Sequence, residues 1–203
     1  MNRSACSRLA LGATLSFAAA SALAHPGHDA ATVGASLWAG VLHPFTGADH
    51  LLAMAAVGVW SALGARSAAD TLRLPLAFVT LMLVGAALGL AGLALPAVEP
   101  MIAASLLVVG VLVAIRAKLP AWAGMAVVGG FAVFHGYAHG AELPGTAAAL
   151  SAVLAYVGGF AVATMALHLL GIVAGTYLRH RAGWLARVAG AGVALYGASL
   201  LVA

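Results

Sequence analysis

Six apolar stretches follow one another through this chain, at about 33–64, 74–95, 100–116, 120–140, 146–178 and 184–202. Each is near or above the roughly 20 residues that a helix needs to cross a bilayer. Only 7% of the 203 residues are charged, against about 25% in a soluble domain. The fold class these runs predict is an all-α membrane protein of six transmembrane helices in one domain, residues 33–203. The 25 glycines suit such a bundle, because small residues let helix backbones approach closely. The first and fifth stretches are too long for an upright span: a 32-residue helix would run roughly 48 Å through a core of about 30 Å. Pro44 and Gly47 should kink or break the first of them.

The segment before these runs reads differently. Arg3 and Arg8 give a basic start, Leu9 to Ala20 a short apolar run, and Ala22-Leu23-Ala24 an A-x-A cleavage site. Residues 1–24 therefore read as a secretory signal peptide, with an uncleaved first helix as the competing reading. Cleavage would discard Cys6, the one cysteine, and leave no thiolate ligand. It would also remove Arg3 and Arg8, leaving a small positive balance that does not point to nucleic acid. The new N-terminus, 25–32, would be an exposed tail opening His-Pro-Gly-His-Asp, in which His25 and His28 could capture a cation.

Loop charges orient the bundle. Arg66 and Arg73, Arg116 and Lys118, and Arg179, Arg181 and Arg187 all fall in alternate loops, while Glu99 and Glu142 lie in the others. Basic loops face the cytoplasm. Both ends of the mature chain are then expected outside the cytoplasm.

Against this apolar background two motifs stand out, HPFTGADH at 43–50 and FHGYAHGAE at 134–142. Ionisable groups within a membrane are costly and usually mark a path or site. Measured from the cytoplasmic ends, His50 lies roughly 21 Å up its span and His135 roughly 22 Å; His43 and His139 lie near roughly 31 and 28 Å. His135 and His139 are four apart and share a face, with Glu142 three residues further on. His43 and His50 are seven apart, two turns, with Asp49 beside them. Thr164 and His168 repeat the four-residue spacing in the fifth stretch. Imidazoles and carboxylates at one depth suit nickel, cobalt, zinc or copper(II), whereas calcium and magnesium prefer oxygen shells. Gly136 and Gly140 form a G-x-x-x-G that should admit a neighbouring helix.

The two motifs resemble the signature motifs of the HupE/UreJ family, membrane permeases for nickel and, in some members, cobalt. The resemblance extends over the signal peptide, the histidine-bearing N-terminus and all six stretches, including ATMALHLLG at 163–171. It implies uptake of nickel or cobalt as substrate across a bacterial inner membrane, with both ends of the mature chain periplasmic, no resident cofactor and no enzymatic activity. Carried over by motif, His43, Asp49, His50, His135, His139 and Glu142 would bind or pass the metal.

No P-loop is present, so transport is expected to be passive, secondary or coupled to a partner, and the membrane potential alone could drive it. The first and fourth stretches each open a group of three and cross in opposite senses, the layout of a 3+3 inverted repeat. The rival class is a membrane-embedded zinc-dependent hydrolase, with histidines and a carboxylate holding zinc and an activated water.

Overall fold

The computed structural model describes residues 32–143 and 149–203. The expected signal peptide, His25 and His28 lie outside the described residues. Within them the chain forms seven α-helices and no strands.

The first apolar stretch is two helices, α1 (Val33–Thr46) and α2 (Ala48–Gly64), separated by Gly47 in an extended conformation at φ −103°, ψ 121°. The cause is local. Pro44 has no N–H to give to the preceding turn, and α1 ends two residues after it. Thr46 then turns its hydroxyl back to donate to the His43 carbonyl at 2.7 Å. At the other end of α1, the Thr32 side chain accepts from the Ala35 N–H, an N-cap.

Helix α3 (Ala68–Leu90) starts six residues before the expected position of 74. Its first turn is polar, so hydropathy does not register it. Ser67 caps it by accepting from the Asp70 N–H at 3.2 Å, Asp70 complements the helix dipole, and Arg73 pairs with Asp70 at 3.1 Å. Helices α4 (Val98–Ala114), α5 (Ala121–Glu142) and α7 (Gly183–Val202) lie close to the positions expected. Helix α6 (Leu150–Arg181) is a single unbroken helix of 32 residues, roughly 48 Å long.

Four helices, α3, α5, α6 and α7, are long and apolar enough to cross a membrane. Helices α2 and α4 are apolar but 17 residues each. The exterior is oily, with Trp122, Leu154, Val162, Leu170 and Leu195 exposed, whereas His50, Ser105, His135, His139, Thr164 and His168 are buried. That inversion of the soluble pattern is what a lipid-facing bundle requires, and the chain is a multi-pass membrane protein.

Three helix pairings dominate: α3 against α5, α4 against α7, and α6 against both α1 and α2. Glycine permits them. A Cβ on Gly136 would overlap the Met82 carbonyl and one on Gly140 the Ala86 carbonyl, both on α3. Gly58 of α2 and Gly171 of α6 meet in the same way. Below the polar residues, Met54, Val57, Trp60, Phe78, Met82, Val128 and Leu167 form an apolar core. Beyond it, at the end bearing Arg66, Arg73 and Lys118, lies a cavity of about 550 Å³.

Candidate metal-binding site

Four imidazoles meet between α1, α2 and α5. His43 closes α1, His50 opens α2, and His135 and His139 occupy successive turns of α5. Their rings form a row. His43 lies 4.5 Å from His139 between centroids, His139 4.6 Å from His50, and His50 5.1 Å from His135. The expected partners His43/His139 and His50/His135 do meet, but His139 lies as close to His50 as to His43, so the rings form one row rather than two separate levels.

The acids flank this row differently. Asp49 sits against His50, its Oδ1 3.1 Å from Nδ1. A carboxylate can only accept, so that nitrogen carries a proton, and in the neutral ring Nε2 of His50 is the one left with a lone pair. Glu142 lies at the exposed end. One donor atom each from His43, His139 and Glu142 lie within 4.8 Å of one another. Donors on a single ion at about 2.0–2.1 Å can be at most about 4.2 Å apart, so small side-chain shifts would put all three on one metal.

Helix α6 supplies the walls. Phe160 packs against His139 at 4.1 Å and against His43 at 6.1 Å, and Tyr156 lies 6.1 Å from His43. His168, on the same helix, stands apart from the row. The Phe78 ring of α3 touches both His135, at 5.6 Å, and His168, at 5.0 Å. His168 donates its Nδ1–H to the Met54 carbonyl at 2.7 Å, which leaves its Nε2 bare. One turn earlier, Thr164 donates to the Met82 sulfur at 3.8 Å.

Buried polar atoms in proteins are nearly always hydrogen-bonded. Here His50 Nε2, His135 Nδ1, both nitrogens of His139 and His168 Nε2 are buried without a hydrogen-bond partner among the described residues. A concentration of bare imidazole nitrogens beside two carboxylates is a donor set that could hold a borderline divalent cation. Four neighbours of the row escaped the sequence reading: Ser105, whose hydroxyl contacts His135 Nε2 at 2.9 Å, Phe78, Phe160 and Tyr156. Each is an ordinary residue in an apolar helix. Only Ser105 carried a signal, as an isolated polar residue midway along its stretch.

A family model described as HupE / UreJ protein matches residues 13–200. Protein HupE of Rhizobium leguminosarum bv. viciae is 48% identical over 166 residues, which cover 81% of this chain and 83% of that protein. No solved structure matches the chain. The match over nearly the full length, with both histidine motifs inside it, means that the chain belongs to the HupE/UreJ family.

Proposed function

We propose that this protein is a permease that carries a divalent transition metal, nickel or cobalt, into the cytoplasm. The observation that carries the reading is the row of four imidazoles contributed by helices far apart in sequence. The ion would first exchange water for His43, His139 and Glu142, then pass to His50 and His135, with Asp49 supplying charge beside them. His168 would receive it beyond Phe78. Several ligand sets in series keep each step shallow, as conduction requires, and suit passage better than a single hydrolytic centre. The metal is cargo, and no resident cofactor is needed.

Six spans follow if α1 and α2 together make the first and α4 the third. Residues 1–24 would be removed on export, 25–32 would form the exposed tail carrying His25 and His28 as capture groups, and both termini would lie in the periplasm. An inverted repeat finds support in the pairings. Exchanging spans one with four, two with five and three with six converts the α1–α2/α6 pairing into α3/α5, and leaves α4/α7 unchanged. Inward movement of a divalent ion gains roughly 4.6 kcal/mol per 100 mV, from about 2.3 per charge. That supports accumulation of more than about a thousandfold without another energy source.

The test is uptake of radioactive nickel into proteoliposomes under an inside-negative potential. His139→Ala removes the one ring that touches both His43 and His50. We expect it to abolish uptake while leaving the protein folded by circular dichroism. Uptake at the wild-type rate would overturn the proposed path.

A further inference from the structure

Ser105 lies on α4, a helix that contributes no candidate ligand, and is 2% exposed. Its hydroxyl has one proton and two contacts. It lies 2.6 Å from the Ile102 carbonyl oxygen and 2.9 Å from Nε2 of His135. Two oxygens at 2.6 Å, one of them a carbonyl, hold a proton between them, since lone pairs that close would repel. The carbonyl cannot supply it, so the serine does. Having given its only proton to Ile102, Ser105 can only accept from His135. Nε2 of His135 is therefore the protonated nitrogen, and Nδ1, buried and without a partner, carries the lone pair.

From this we infer that Ser105 is a positioning residue of the metal path, holding His135 in the tautomer that presents Nδ1 to the ion. The inference rests on the transport reading above. His135 would then bind through the opposite nitrogen from its neighbours. Asp49 accepts from the Nδ1–H of His50, and the Met54 carbonyl from that of His168, so both of those rings, when neutral, offer Nε2. Partners of this kind orient metal-binding histidines, and their loss typically weakens binding about 10–100-fold. Without the Ser105 oxygen nothing on α4 would accept from Nε2, and the proton could move to Nδ1, blocking the atom the ion needs.

The experiment combines nitrogen NMR with metal titration on the full chain in lipid nanodiscs, labelled with ¹⁵N-histidine. The His135 signals are those absent from His135→Gln. In metal-free wild type, the expected pattern is a protonated Nε2 and a bare Nδ1 at His135. Ser105→Ala should show a mixed or reversed pattern and a nickel affinity lower by about 10–100-fold. Ser105→Thr, which keeps a hydroxyl able to bond the same carbonyl, should restore both. A wild-type His135 protonated on Nδ1 overturns the inference, as does a Ser105→Ala protein with unchanged tautomer and affinity. A wild type that binds no nickel would refute the transport reading, while the tautomer measurement would still decide what Ser105 does to His135.

Discussion

The two histidine motifs reach the same place by different routes. In α5 the chain is one continuous helix, and His135 and His139 face the site because four residues make about one turn. In the other motif seven residues separate His43 from His50, which in a straight helix would mean a rise of roughly 10.5 Å. Their ring centroids are nonetheless 6.1 Å apart. The break at Gly47 ends α1 and restarts the chain as α2, so helical periodicity does not relate the two rings. One arm of the site is thus set by helical periodicity and held by glycine packing. The other is set by an interruption and held by the Asp49–His50 contact.

The continuous arm should be the more fragile to added bulk. Gly136→Leu would drive a side chain into the Met82 backbone of α3, separating α3 from α5 and displacing both histidines. The expected outcome is loss of folded protein in detergent, seen as aggregation on size exclusion, and no recoverable nickel uptake. In the interrupted arm, Asp49→Asn keeps the shape and removes the charge that orients His50. Nickel affinity should fall about 10–100-fold with folding intact, measured by titration calorimetry. Gly47→Ala is gentler still. The backbone angles there are open to any residue, but the new Cβ would sit 2.7 Å from Asp49 Oδ1. Binding should weaken by less than in Asp49→Asn, with an unchanged melting temperature. If Gly47→Ala proves as damaging as Gly136→Leu, the two arms do not differ in the way described.

Much of this site was visible in the chain before its coordinates. Ionisable residues in an oily background announce themselves, and rise per residue paired His43 with His139 and His50 with His135, although the two depths it expected are joined in one row. Pro44 and Gly47 marked the break because their effect is local. The residues that escaped act at long range. Ser105 meets His135 across 30 residues and His168 meets the Met54 carbonyl across 114, and no periodicity encodes such pairs. Phe78 and Phe160 look like any lipid-facing aromatic until the neighbouring helices are in place. The early start of α3 was hidden because a capped polar turn precedes the apolar run.

At the far end of the molecule, Arg179 of α6 donates to the carbonyls of Ala62 and Ala65, at 3.2 and 2.8 Å. A cation there satisfies acceptors that the last turn of α2 would otherwise leave open. Together with the Gly58–Gly171 approach and the His168–Met54 bond, it rivets α2 to α6 at three heights. Sliding these two helices past each other would rupture all three fastenings at once. Between that riveted body and the α3–α5 pair the backbones approach less closely, the seam is crossed by side chains such as Ser61 to Thr71 and Thr164 to Met82, and the row of imidazoles straddles it.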